Sequence, residues 1–123
     1  MIELILCALV LLVVQIMAHY PMNLQHVNFF LSNRDGGIEY SEATLRIQRA
    51  AANLKETLPV FITLMVLGVV QGVDLTSLGA FWLVLRLAFF VLYSLGIEKI
   101  RSVVWILALL ILGAMGNTLL SSL

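Results

Sequence analysis

Four charged or amide side chains recur at helical spacing near the middle of the chain. We refer to Arg46, Arg49, Asn53 and Glu56 as the stripe. At about 100° per residue these side chains fall within an arc of roughly 80°, whereas Lys55 points away from them. Guanidinium, amide and carboxylate groups on one face can bind ligand groups of both charges. The stripe therefore predicts a binding face.

The rest of the chain has the composition of a membrane protein. Hydrophobic residues make up 62% of the 123 positions and charged residues 11%, whereas soluble domains have about 25% charged residues. Four apolar stretches are long enough to cross a bilayer, and the expected spans are residues 2–20, 43–72, 75–95 and 100–121. We expect an all-α integral membrane four-helix bundle, with residues 1–123 forming one domain. In such a chain the stripe must face protein, a ligand or a water-filled cavity.

The basic residues predict how the spans are oriented. Lys and Arg flank the first and third loops, for example at Arg34, Lys99 and Arg101, whereas the second loop and both tails have none. Loops one and three are then cytoplasmic, and both termini lie on the other face. Because the first stretch contains Glu3 and has no basic residue before its long apolar run, we interpret it as a span and not as a cleavable signal.

The second span begins with a helix-start signal. Ser41 is suited to be the N-cap, and Glu42 complements the helix dipole in the first turn. A helix from there to about Gly72 is ~46 Å long and exceeds a ~30 Å hydrocarbon core, so its first turns project into the cytoplasm. The stripe is thus expected at the membrane boundary, above a kink at Pro59.

Other polar and aromatic residues supply possible partners for the stripe. Arg86 is expected near mid-membrane, where an unpaired Arg costs at least ~2.5–3.5 kcal/mol. Glu56 is the only acidic residue placed to pair with it, so a structural Glu56–Arg86 ion pair and a role in ligand binding are both open. Tyr93 shares the face of Arg86 and could pack in the core or serve a site. Arg101 and Trp105, one turn apart, fit a membrane-interface anchor or a functional pair.

The remaining reactive residues predict no further chemistry. Cys7 is the only cysteine and lies inside the first span, so no intramolecular disulfide forms and a structural role is expected. His19 and His26 are too isolated for a metal site and are expected at the surface or the membrane interface. Neither a metal nor a nucleic-acid partner is expected.

The order of these residues resembles the MAPEG family, membrane-associated proteins in eicosanoid and glutathione metabolism. The first matching block is Arg49-x-x-x-Asn53-x-x-Glu56-x-x-Pro59. The second block consists of Arg86, Tyr93 and Ile100-Arg101-Ser102-Val103. The turn at Asn33-Arg34-Asp35 resembles the bacterial branch. In architecture the resemblance covers the whole chain.

The resemblance implies a homotrimer that binds glutathione as co-substrate between neighbouring subunits, in a bacterial inner membrane. The glutathione-binding residues that it implies are Arg46, Arg49, Asn53, Glu56, Tyr93 and Arg101. The catalytic residues that it implies are Arg101, which stabilises the thiolate, and Ser102 and Tyr93, which donate to sulfur. A cation beside sulfur lowers the pKa of a thiol from ~8.5 toward neutrality, and the thiolate is the nucleophile.

Two functions are consistent with this pattern, and whether the protein is an enzyme stays open. The first is a glutathione-dependent transferase or peroxidase that acts on small hydrophobic electrophiles from the lipid. Eicosanoid specificity is not implied, because Phe89 and Trp105 stand where characterised members carry other residues. The alternative is a non-catalytic trimeric membrane protein whose stripe forms an inter-helix network or binds lipid headgroups.

Overall fold

Helices account for all the regular secondary structure of the protein. A computed structural model describes residues 1–123. Its elements are α1 (Ile2–Met17), a 3-10 turn (Pro21–His26), α2 (Val27–Phe30), α3 (Glu42–Gln71), α4 (Thr76–Ser94) and α5 (Lys99–Ser121). The all-α prediction is confirmed. The bounds of α3, α4 and α5 lie within one residue of the expected spans at 43–72, 75–95 and 100–121.

The first span is shorter than the sequence predicts. α1 ends at Met17 and not at residue 20, and the chain then bends by 45° into the segment Pro21–Phe30. Pro21 explains the break, because it has no backbone N–H to continue α1 and its fixed φ suits the first turn of a new helix. Three helices, α3 to α5, are long and apolar enough to cross a membrane alone, and the bent pair is a fourth candidate.

The N-terminal half of α3 carries the stripe and is fixed by a cap. The Ser41 hydroxyl oxygen accepts a hydrogen bond from the Thr44 N–H at 3.2 Å, which confirms the predicted N-cap. α3 continues through Pro59, and the Thr63 hydroxyl donates to the Pro59 carbonyl at 2.8 Å. The stripe therefore lies on one uninterrupted helix.

The core holds the four long helices together. Contacts join α1 to α3 and α4, α3 to α4 and α5, and α4 to α5. At its centre the rings of Phe61 and Trp82 stack, with centroids 4.1 Å apart and planes 10° from parallel. Met65, Leu112 and Met115 extend this core along the helices. Because Phe61 and Trp82 belong to α3 and α4, their stack fixes the two helices beside the stripe.

A buried polar cluster packs the first loop against α3. His19 is buried, and Asn23 Nδ2 donates to the Thr44 hydroxyl oxygen at 3.1 Å. The rings around His19 are those of Tyr20, Phe30 and Tyr40. Of the two positions expected for His19, the surface is wrong because these aromatic side chains cover it, and the membrane interface stays a prediction. Cys7, by contrast, is exposed on the outer side of α1.

The end of α3 allows little space for a side chain at Gly68. Gly72 has a left-handed φ of 69°, and the Val73 N–H donates to the Gly68 carbonyl at 2.9 Å. A Cβ at Gly68 would lie 3.0 Å from Leu75 Cδ1 and 3.1 Å from the Val73 carbonyl oxygen. This oxygen belongs to the backbone that closes the helix, so it cannot move aside easily.

Gly68→Ala should destabilise the protein by about 1–3 kcal/mol, because the added methyl group overpacks this turn. The measurement is the midpoint of thermal unfolding in detergent. Gly113→Ala is the matched control, since it gains the same helix propensity and nothing lies within 4 Å of its Cβ. Equal midpoints for the two variants would contradict the expectation.

Candidate functional site

Three helices bring most of the predicted site residues together at one end of the protein. The tight turn between α4 and α5 contains Gly96, which has a φ of 76°, a value that glycine adopts without strain. This turn places Tyr93, at the end of α4, beside Arg101, at the start of α5. Both residues face the N-terminal half of α3, and two clefts lie between the three helices.

The first cleft, which we call the polar cleft, has a volume of about 300 Å³. Its lining residues are Glu42, Arg46, Arg49, Tyr93, Gly96, Glu98 and Arg101. Three arginines and two carboxylates therefore face one space, and only one lining residue is hydrophobic. Such a cleft suits a ligand that carries both carboxylate and ammonium groups.

The second cleft, which we call the aromatic cleft, has a volume of about 210 Å³. Its lining residues are Asn53, Phe89, Tyr93, Arg101, Ser102 and Trp105. Tyr93 and Arg101 line both clefts, so they form the wall between them. A charged group in the polar cleft and an apolar group in the aromatic cleft would meet at this pair.

Arg101 is held by the ring of Tyr93. The guanidinium carbon lies 4.2 Å from the ring centroid, which is a cation–π contact. Tyr93 in turn packs edge-on against Phe89, with centroids 5.5 Å apart. Since a guanidinium keeps its charge at any physiological pH, Arg101 supplies a fixed positive charge where the two clefts meet.

The other predicted catalytic residue, Ser102, directs its hydroxyl along its own helix. Ser102 Oγ donates to the Glu98 carbonyl at 3.2 Å. Ser102 lines the aromatic cleft and is exposed, so its hydroxyl can reorient toward a ligand. Its role as a donor to sulfur stays a prediction.

Arg86 has a different partner from the one expected. It is buried, and its Nη2 donates to Asn53 Oδ1 at 2.8 Å. Its guanidinium carbon also lies 4.7 Å from the Phe89 ring centroid and 5.9 Å from that of Trp82. No carboxylate oxygen lies within 4 Å, so the expected Glu56–Arg86 ion pair does not form.

The geometry of α3 explains this change of partner. Glu56 follows Asn53 by three residues and is thus turned by about 60° around the helix axis. Asn53 faces α4, whereas Glu56 is exposed. Glu56 lines neither cleft of the single chain, so its contact with glutathione stays a prediction.

Arg46 lies across the turn between α4 and α5. A Cβ atom added at Gly96 would lie 3.6 Å from the guanidinium carbon of Arg46, which is an ordinary van der Waals distance. The Arg46 Nε is buried without a hydrogen-bond partner. A Cβ there would therefore not displace Arg46, and it is the left-handed φ of Gly96 that favours glycine in this turn.

Several residues that line the clefts were not predicted from the sequence. Glu98 and Gly96 carried no signal, and Glu42 was predicted only to complement the helix dipole. Phe89 was singled out only as a departure from characterised family members. Trp105 was predicted as a possible partner of Arg101, because a spacing of one turn places both on one face. No three His, Cys, Asp or Glu side chains are close enough together to hold a metal ion.

Substitutions of Tyr93 should show how much its ring stabilises Arg101. Tyr93→Phe retains the cation–π contact and Tyr93→Leu removes it, so the leucine variant should unfold at a lower temperature, by an amount equivalent to about 0.5–2 kcal/mol. In an Arg101→Ala background the difference between the two variants should shrink. If the phenylalanine and leucine variants have equal unfolding midpoints, the stack contributes nothing to stability.

Comparison with known proteins identifies the family of the chain. The model of the MAPEG family matches residues 3–121. Comparisons with curated proteins and with solved structures gave no match. The match confirms the resemblance carried by the stripe and extends over α1 to α5. The chain therefore belongs to the MAPEG family and is an integral membrane protein of this family of glutathione and eicosanoid metabolism.

Proposed function

We propose that the protein is a glutathione-dependent transferase or peroxidase that acts on small hydrophobic electrophiles within the membrane. The observation that carries this proposal is the convergence of two clefts of different character on Arg101 and Tyr93. Membership of the MAPEG family supports glutathione as the co-substrate.

The polar cleft has the charges that a glutathione site needs. Glutathione carries two carboxylates and one ammonium group. The arginines Arg46, Arg49 and Arg101 can bind the carboxylates, and Glu42 or Glu98 can accept hydrogen bonds from the ammonium group. The lining residues thus include a group of opposite sign for every charge of the tripeptide.

The chemistry follows from the charge at the wall between the clefts. With the peptide in the polar cleft, the thiol is placed near Arg101, whose positive charge lowers its pKa, and the thiol proton passes to water. Tyr93 or Ser102 donates a hydrogen bond to the sulfur. The thiolate electron pair then forms a bond to the electrophilic atom, and the electron pair of the broken bond departs with the leaving group.

The aromatic cleft is suited to receive the electrophile. Phe89 and Trp105 offer apolar ring surface, and the cleft adjoins the lipid-facing side of α5. An electrophile dissolved in the bilayer could enter laterally and reach the sulfur without crossing water. The cleft volume of about 210 Å³ favours a small electrophile.

We further propose that the protein acts as a homotrimer in a bacterial inner membrane, with glutathione bound between neighbouring subunits. The exposed position of Glu56 supports this arrangement, because a second subunit could complete the wall that one chain leaves open. The clustering of Lys and Arg at loops one and three supports a cytoplasmic position for the site.

One observation favours a second function. Asn53 is engaged by Arg86 of the same chain, as expected if part of the stripe is an inter-helix network. A non-catalytic trimeric membrane protein that binds lipid headgroups through its arginines is therefore the alternative.

Glutathione thiolate formation separates the two functions. We expect the purified protein to show the ultraviolet absorbance of a thiolate when glutathione is added, and Arg101→Ala to abolish it, because the charge beside sulfur is lost. Lys55→Ala is the control, since Lys55 is exposed and lines neither cleft. Absence of saturable glutathione binding at millimolar concentration would rule out the enzyme.

The proposed orientation can be tested with cysteine labels in a Cys7→Ala background. Asp35→Cys and Ile97→Cys lie in exposed positions of loops one and three, and Ser77→Cys lies at the start of α4. In intact cells a membrane-impermeant maleimide should label only Ser77→Cys, and the other two should react after lysis. The opposite pattern would reverse the orientation.

A further inference from the structure

The buried guanidinium of Arg86 depends on a single acceptor. Its exposure is only 1%, and its one hydrogen bond is the 2.8 Å contact from Nη2 to Asn53 Oδ1. The Nε and Nη1 atoms are buried without a partner, and the rings of Trp82 and Phe89 flank the group. Asn53 is therefore the only hydrogen-bonding partner of a cation inside the helix core.

This contact also fixes which way the Asn53 side chain faces. An arginine has donors and no acceptor, so only the carboxamide oxygen of Asn53 can face it. If the carboxamide were flipped, the N–H groups of Asn53 Nδ2 would face the N–H groups of Arg86, and neither could accept a hydrogen bond. Nδ2 must then point away from Arg86, where it makes no hydrogen bond within the chain and is not buried. Because Asn53 lines the aromatic cleft, this nitrogen is available there as a donor.

We propose that Arg86 is a positioning residue that holds the oxygen of Asn53 and so presents Nδ2 to a ligand as a hydrogen-bond donor. The ligand group that fits is a peptide carbonyl oxygen next to the cysteine of glutathione, because the thiol lies where the two clefts meet and the carboxylates lie in the polar cleft. The identity of that peptide, glutathione, rests on the proposed function.

The residue type at position 53 supports a role beyond accepting a hydrogen bond from Arg86. Aspartate would pair with a buried guanidinium more strongly, because both partners of the hydrogen bond would be charged. Aspartate would, however, offer no donor to the cleft. Asparagine is the side chain of this size that accepts from Arg86 and still donates to a ligand.

A double-mutant cycle on glutathione affinity tests the proposal. Arg86→Met removes the donors at similar volume and lets the Asn53 carboxamide rotate, so the affinity should fall about tenfold, equivalent to one hydrogen bond. In an Asn53→Ala background the same substitution should change the affinity little, because no carboxamide remains to be positioned. Arg86→Lys, which keeps a donor for Oδ1, should restore most of the affinity. Additive effects of the two single substitutions would overturn the positioning role.

Asn53→Asp provides a second test that does not depend on the folding of Arg86→Met. It should unfold at the same or a higher temperature than the unsubstituted protein, since Arg86 gains an ion pair, yet bind glutathione at least about tenfold more weakly. Equal affinity overturns the proposal, because the loss of Nδ2 would then have cost the ligand no hydrogen bond.

The unsubstituted protein separates this proposal from the proposed function. If it binds no glutathione, the proposed function fails and the donor role toward glutathione is overturned with it. If it binds glutathione but the cycle is additive or Asn53→Asp binds equally well, only the positioning role of Arg86 is overturned.

Discussion

The structure depends above all on the accommodation of one positive charge in an apolar core. Arg86 lies in α4, where an unpaired guanidinium would cost at least ~2.5–3.5 kcal/mol in a membrane. Asn53 and the rings of Trp82 and Phe89 surround it, and Trp82 stacks on Phe61 of α3. This arrangement fixes the rotation of α3 against α4. Because the stripe lies on α3, the same contacts decide which of its side chains reach the clefts.

The turn between α4 and α5 is the second constraint on the site. Gly96 adopts a φ that other residues rarely take, and the Arg46 guanidinium packs beside it. The turn brings Tyr93 and Arg101 into contact, although eight positions separate them in the sequence. A rigid wall between a polar and an aromatic cleft results, with its charge held by packing and not by an ion pair.

Hydropathy and capping residues were sufficient to predict most of the fold. Apolar stretches of the right length located α3 to α5, and Ser41 located the start of α3. The end of α1 was predicted less well. The break depends on the missing backbone N–H and the fixed φ of Pro21, which lies where apolar and polar residues are mixed, so hydropathy gives no boundary there. The burial of His19 was not predicted, because it depends on aromatic residues that follow it in the first loop.

The spacing of the stripe predicted which residues of α3 share a face, but not which residues pair with each other. Spacing along α3 placed Arg46, Arg49 and Asn53 on one face, and all three line a cleft. The partner of Arg86 was wrong, because counting the rise along each helix gives depth but not the direction in which a side chain points.

Glu56 is where the geometry of one chain leaves a charge without a partner. It is exposed, no cation lies within 4 Å of it, and an apolar stretch of α3 begins only four residues later. A carboxylate so close to hydrocarbon is stable only if water, a ligand or another protein surface receives it. Its neighbours on the stripe turn toward α4 and α5, whereas Glu56 turns outward from the same chain. The stripe therefore faces two surfaces, an inner one where Asn53 contacts Arg86 and an outer one at Glu56, which the proposed arrangement of subunits would cover.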